Sequence, residues 1–66
     1  MKNLRAEMAR NNFNIGKMAE LLGMSRRSFS LRLNRDREFN LVELNSMADL
    51  FGVTIDYLAD RTEMRN

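Results

Sequence analysis

Apolar side chains recur every three or four positions along most of this 66-residue chain. That spacing places them on one face of an α-helix, and the strict alternation of a half-buried strand is missing. The pattern predicts five helices, the first of which runs from Lys2 to about Arg10. Each of the other four follows a residue whose side chain can cap a helix, namely Asn14, Ser25, Asn40 and Thr54. Because the chain also lacks proline, these features predict an all-α domain.

The apolar positions predict which side of each helix faces the core. Phe29 and Leu33, for example, lie four residues apart and share one stripe of the third helix. Gly23 and Gly52 follow the second and fourth helices, where a residue without Cβ favours the left-handed conformation that ends a helix. We therefore expect a core formed by the inward positions, namely Leu4, Met8, Phe13, Met18, Ala19, Met24, Phe29, Leu33, Phe39, Leu41, Leu44, Met47, Ala48 and Phe51.

The third predicted helix has a basic outer face opposite its apolar stripe. A short turn over residues 23–25 joins it to the second helix, so the pair predicts a helix-turn-helix. The outward and edge positions hold Arg27, Ser28, Leu31 and Asn34, and Arg26 is within reach of them in the first turn. A solvated face rarely carries a leucine among arginines. A cationic helix of this kind is suited to enter a DNA groove.

Charge is distributed unevenly along the chain, although the net charge is only +2. Residues 1–37 contain nine Lys and Arg against three acidic residues, a net +6. Residues 38–66 contain two arginines against six acidic residues, a net −4. One half therefore attracts a polyanion and the other half repels it, which predicts that the protein docks with a defined side.

Composition excludes several kinds of site. The chain has neither cysteine nor histidine, which argues against disulfides, thiolate chemistry and the common zinc sites, and we expect no cofactor or metal. The carboxylates are scattered, so an enzyme with a small-molecule substrate is the least expected class. No apolar run approaches a membrane span and no signal peptide opens the chain, which predicts a cytoplasmic protein. We expect one domain over residues 1–60 and a short, mobile polar tail over residues 61–66.

Two stretches of sequence together resemble the helix-turn-helix family of phage repressors and Cro proteins, the XRE family. The first is Met18-Ala19-Glu20-Leu21-Leu22-Gly23-Met24-Ser25, followed by Phe29 and Asn34. The second runs from Leu44 through Leu50-Phe51-Gly52-Val53-Thr54-Ile55-Asp56-Tyr57-Leu58. The resemblance covers about residues 2–60. It implies a compact five-helix, lambda-repressor-like domain with the helix-turn-helix at helices 2 and 3.

The resemblance also implies roles for particular residues. The base-reading positions of the family fall on Arg26, Arg27, Ser28 and Leu31. We assign contacts with the DNA backbone to polar and basic residues around this helix, namely Asn14, Lys17, Arg32, Asn34, Arg35 and Arg37. Each arginine can bond a guanine edge or hold a phosphate, and Leu31 can contact a thymine methyl or remain a surface residue.

Three residues depart from the family pattern. Ile15 stands where glutamine often contacts a phosphate, Arg32 stands where an apolar side chain is common, and Arg35 replaces a frequent glycine.

The function implied by the resemblance is sequence-specific binding of double-stranded DNA by a transcriptional regulator of phage-repressor type. Repression is the expected effect, and two copies of the third helix would read a two-fold symmetric operator as a homodimer. We expect the dimer surface at Ile55, Tyr57 and Leu58, which exceed what the core alone should need. The alternative is a protein-binding module, such as an antitoxin or antirepressor, on the same fold.

Overall fold

The computed structural model describes residues 1–34 and 37–66. These residues form five α-helices: α1 (Lys2–Arg10), α2 (Ile15–Leu22), α3 (Arg26–Leu33), α4 (Leu41–Phe51) and α5 (Ile55–Leu58). No strand occurs in the two described ranges. α2 packs against α3, and the short α5 packs against both α1 and α4. The prediction of an all-α, five-helix fold with a helix-turn-helix at α2 and α3 is confirmed.

Local capping explains where four of the helices begin. In each case a side-chain oxygen accepts a hydrogen bond of 2.8–3.1 Å from the backbone N–H three residues further on. The four residues are the predicted ones, Asn14, Ser25, Asn40 and Thr54. The cap of α4 is reciprocal, because the Glu43 side chain accepts from the Asn40 backbone N–H at 2.9 Å. Each start is therefore specified by residues adjacent in sequence.

The start of α1 is capped by a residue from the other end of the described chain. Met1 provides no side-chain cap. Instead the Asp60 carboxylate accepts hydrogen bonds from the backbone N–H groups of Lys2 (3.0 Å) and Asn3 (2.8 Å). A carboxylate at this position satisfies free backbone donors and suits the partial positive charge of a helix start. Asp60 thereby joins α1 to the end of α5.

The core lies between the five helices and contains most of the predicted side chains. Phe29 is fully buried, and its ring lies 5.5 Å from that of Phe39, centroid to centroid. Leu41 is an exception, since 65% of it is exposed. Leu41 occupies the first turn of α4. The apolar pattern predicts which side of a helix faces inward, but it does not predict whether other elements cover that side along the whole helix. The prediction that Leu41 belongs to the core is wrong.

A buried carboxylate joins α1 to the end of the chain. Glu7 is fully buried and accepts a hydrogen bond from the Tyr57 hydroxyl at 2.9 Å. Its two oxygens also accept from the Arg65 guanidinium at 3.0 and 2.9 Å, and Arg10 Nε lies 3.3 Å away. Arg65 hydrogen bonding lowers the pKa of Glu7 from its ordinary 4.5, against the opposing effect of burial. Burial, followed by the bond to Glu7, raises the pKa of Tyr57 above 10.0.

Residues 61–66 are mostly polar and largely exposed, yet they are held against the helices. Besides the bonds of Arg65 to Glu7, the Arg65 carbonyl accepts from the Thr54 backbone N–H at 2.8 Å. Asn66 donates to the Gly52 carbonyl at 3.3 Å. These contacts give no support to the expectation of a mobile tail, which rested on polarity alone. The division into a domain over 1–60 and a tail over 61–66 stays a prediction.

Candidate nucleic-acid interface

The turn between α2 and α3 sets the relative placement of the two helices. Gly23 has the left-handed φ of 68°, which a residue without Cβ adopts freely. The Met24 N–H bonds the Ala19 carbonyl at 3.0 Å and the Gly23 N–H bonds the Glu20 carbonyl at 3.2 Å, which closes the end of α2. Ser25 then begins α3 immediately. Two helices separated by three residues are thereby held in one rigid unit.

α3 presents a buried side and a basic side. Phe29 and Leu33 are 0% and 2% exposed, so the predicted apolar stripe faces the core. The four predicted base-reading residues lie on the remaining surface. Arg26 and Arg27 are exposed in the first turn, while Ser28 and Leu31 are half-exposed. The structure thus brings these four residues together on the accessible side of one helix.

The two arginines of the first turn have no acidic partner among the described residues. The guanidinium of Arg26 lies over the first turn of α2, against Gly16. A Cβ added to Gly16 would stand 2.9 Å from Arg26 Nη2 and 3.0 Å from its Cζ and Nε. Arg26 therefore takes a specific position that the absence of a side chain at residue 16 permits.

The residues predicted to contact the DNA backbone lie around this helix. Asn14 and Lys17 are exposed at the start of α2. Asn34 is exposed at the end of α3, where its Oδ1 accepts a 2.6 Å hydrogen bond from Arg5 Nη2. Arg37 is exposed after α3, and Arg35 lies outside the described residues.

Arg32 is used within the protein. Its Nη1 donates to the Ser28 carbonyl at 3.3 Å. Its Nε lies 3.3 Å from Glu43 Oε1, at ion-pair distance but without hydrogen-bond geometry, and the Arg32 side chain is only 23% exposed. The same Glu43 oxygen caps α4. This placement joins α3 to α4 and gives no support to the prediction that Arg32 holds a phosphate.

Comparison with known families supplies the class of protein that carries this arrangement. The family model of the bacterial regulatory proteins of the Fis family matches residues 2–35, just over half of the chain. The chain belongs to this family. The matched segment comprises α1, α2 and α3, and so includes the helix-turn-helix and the basic first turn of α3. No curated protein and no solved structure matches the chain.

Membership of the Fis family confirms part of the resemblance drawn from the sequence. This Fis-family chain is a DNA-binding regulatory protein of the helix-turn-helix class. The finer assignment to phage repressors and Cro proteins stays a prediction. The match to the Fis family ends at residue 35, before α4 and α5. The second part of the resemblance to phage repressors and Cro proteins lies in these two helices.

The residues predicted to form a dimer surface are mostly internal. Tyr57 is 4% exposed and its hydroxyl donates a hydrogen bond to Glu7, and Leu58 is fully buried. Ile55 is half-exposed. Because α5 packs against both α1 and α4, Tyr57 and Leu58 are part of the core. The burial of Tyr57 and Leu58 therefore gives no support to their assignment to a dimer surface, which stays a prediction.

The described part of the chain has neither a cluster of metal ligands nor a membrane-spanning helix. No group of three acidic residues lies close enough to hold a metal ion there. None of the five helices combines the length and the apolar character that crossing a bilayer requires.

Proposed function

We propose that this protein is a sequence-specific transcriptional repressor that places α3 in the major groove of a two-fold symmetric DNA operator. The observation that carries the proposal is the first turn of α3, where Arg26 and Arg27 are exposed without an acidic partner among the described residues. The buried stripe of Phe29 and Leu33 directs this basic side away from the core. A rigid helix with free guanidinium groups can both approach phosphates and bond base edges.

Affinity and sequence choice have different sources in this proposal. Backbone phosphates supply affinity through the release of counterions. Asn14, Lys17, Asn34, Arg35 and Arg37 are the proposed backbone contacts. Base edges supply the choice of sequence, and α3 reads them with Ser28, Leu31 and at least one of its first-turn arginines. Leu31 is suited to a thymine methyl because it is an apolar side chain left half-exposed among polar neighbours.

The five-helix arrangement supports the resemblance to phage repressors and Cro proteins. α4 and α5 contribute Met47, Phe51 and Leu58 to the same core as the helix-turn-helix. The proposed DNA-binding domain therefore extends to residue 60, beyond the segment shared with the Fis family.

Homodimerisation is part of the proposal because a two-fold operator requires it. The two copies of α3 must lie about 34 Å apart to enter successive major grooves. Of the three residues expected at the dimer surface, Ile55 alone is accessible enough to contribute. As a regulator acting on DNA, the protein would work in the cytoplasm of a bacterial cell.

Selection of bound sites from a random DNA library tests this proposal. We expect enrichment of a symmetric sequence whose half-sites are centred about one helical turn apart. Binding to the enriched duplex should weaken steeply as salt concentration rises. A library from which no sequence is enriched would refute sequence-specific binding, and an asymmetric site bound by a monomer would refute the dimer.

One observation favours the second candidate, a protein-binding module such as an antitoxin or antirepressor. Leu41 and Val42 at the start of α4 are 65% and 73% exposed, which is unusual for neighbouring apolar residues. The two functions differ in their dependence on α3. Regulation that survives replacement of both Arg26 and Arg27 by alanine would favour the protein-binding role.

A further inference from the structure

An open groove lies between α1, the first turn of α2 and α3. Two arginines from different helices, Arg5 of α1 and Arg26 of α3, both line it. The other lining residues in the described chain are apolar or neutral, among them Met8, Phe13 and Ile15. The groove therefore holds two positive charges and no acidic residue among those described, which makes it attractive to an anion.

The position of Arg26 depends on Gly16. The guanidinium lies so close to the Gly16 Cα that any Cβ there would come within 2.9–3.0 Å of three of its atoms. Arg26 thus lies across the start of α2 and lines the groove. Arg27, its neighbour in sequence, does not line the groove. Consecutive arginines on α3 are therefore placed in two different environments.

Arg5 is held in place from the opposite end of α3. Its Nη2 donates a 2.6 Å hydrogen bond to the Oδ1 of Asn34, which follows the last turn of that helix. A guanidinium group has five N–H donors, so this bond leaves most of them for another acceptor. The side chain is exposed, and no described carboxylate pairs with it.

We infer that Arg5 and Arg26 together hold one phosphate of the DNA backbone, with Gly16 positioning Arg26, and that Arg27 is the arginine that reads a base edge. This inference rests on the proposed function and assigns separate roles within the same site. Both guanidinium groups line the same groove, where no described acid competes for them. Phosphate matches the fork of donors on each group.

Binding to two DNA duplexes over a range of salt concentrations tests the assignment. One duplex carries the sequence selected by this protein, and the other has random sequence and equal length. For Arg26→Ala and for Arg5→Ala we expect about tenfold weaker binding to both duplexes, the size of one charge-assisted contact. The slope of log K against log salt should fall by about one, with base preference unchanged. Arg27→Ala should instead weaken mainly the selected duplex.

Arg61→Ala is the matched control for charge. Arg61 is exposed and pairs with Asp56 at 3.6 Å in the acidic half of the chain. Its replacement removes one positive charge, as the other variants do, but should leave both affinity and salt slope near those of the original protein. A slope change equal to that of Arg26→Ala would mean that net charge alone explains the effect. It would refute the inference that the groove holds a phosphate.

Gly16→Ala isolates the position of Arg26 without removing its charge. The new Cβ displaces the end of a flexible side chain, and alanine favours a helix, so the melting temperature should not fall. Binding to both duplexes should weaken in the direction of Arg26→Ala. Combining Arg5→Ala with Arg26→Ala should cost less than the sum of the two single effects, because they share one phosphate.

Three results would each overturn the inference while leaving the proposed function intact. The first is a changed base preference in Arg26→Ala with unaltered binding to random DNA. The second is additive behaviour of the two arginine variants, and the third is normal binding by Gly16→Ala. If the original protein binds neither duplex, the proposed function itself fails, which is a distinguishable outcome.

Discussion

Two regions of this protein differ in whether their arginines have a carboxylate partner. They are the first turn of α3 and the contact between α1 and Arg65. Arg26 and Arg27 are exposed in α3, and no described carboxylate pairs with them. Arg65 donates two hydrogen bonds to Glu7, whose carboxylate is fully buried. The functional group is the same, so the difference lies in whether the fold provides an anion. An arginine that has a carboxylate partner stabilises the structure, and an arginine without a described partner is available to DNA.

The largest expected effect comes from breaking the paired region. Arg65→Met should lower the free energy of unfolding by about 2–4 kcal/mol, because among the described residues the buried Glu7 keeps only Tyr57 and the largely exposed Arg10 as partners. Urea unfolding measures the change. Arg61→Met removes the same charge from an exposed pair and should cost less than about 0.5 kcal/mol. Equal effects of the two variants would mean that burial of Glu7 does not distinguish these arginines.

The next largest effect concerns the unpaired region. Arg27→Ala should weaken binding to the selected operator by about 1–3 kcal/mol, since a bidentate contact with a guanine discriminates by that amount. Random duplex should be bound almost as before, and the melting temperature should not fall. An equal loss on both duplexes in a titration by fluorescence anisotropy would make Arg27 a phosphate contact.

Both acid and alkali should weaken the paired region. The folded pKa of Glu7 is lowered from 4.5, so its contribution to stability is complete above that pH and is lost as pH falls through the folded pKa. The pKa of Tyr57 is raised from 10.0, so its contribution is lost as pH rises beyond 10. Thermal unfolding across pH measures both effects. Glu7→Gln should reduce the loss of stability at low pH. An unchanged loss would contradict the role of Glu7.

The smallest expected effect tests the rim of the unpaired region. Arg37 is exposed and is a proposed phosphate contact. Arg37→Ala should weaken all DNA sequences alike and reduce the salt slope by about one. Filter binding at four or five salt concentrations measures this slope. An unchanged slope would remove Arg37 from the interface.

Features specified by neighbouring residues could be predicted from the sequence. Asn14 and Ser25 each bond a backbone N–H three residues away, so the starts of α2 and α3 follow from local chemistry. Gly23 supplies the left-handed residue between them. The helical period then places Phe29 inward and Arg27 outward. The helix-turn-helix and its basic side could therefore be predicted from the sequence.

Features that depend on distant residues could not be predicted in the same way. Tyr57 and Leu58 are apolar in sequence whether they cover a core or a partner, and only the packing of α5 against α1 and α4 decides that they are internal. Arg32 and Arg26 are both arginines of α3, yet Glu43 lies beside one and Gly16 beneath the other. A charge pattern reports how many arginines are present but not which of them find a partner.

The sequence by itself determined the helices, the caps of α2 to α5, the turn at Gly23 and the outward side of α3, because each depends on hydrogen bonds or periodicity over a few residues. Tertiary structure alone decided the capping of α1 by Asp60, the pairing of Glu7 with Arg65 and the position of Arg26 against Gly16. The first two join residues more than fifty positions apart, and the third joins the starts of two helices. Such contacts form only when packing brings the elements together, so no local pattern encodes them.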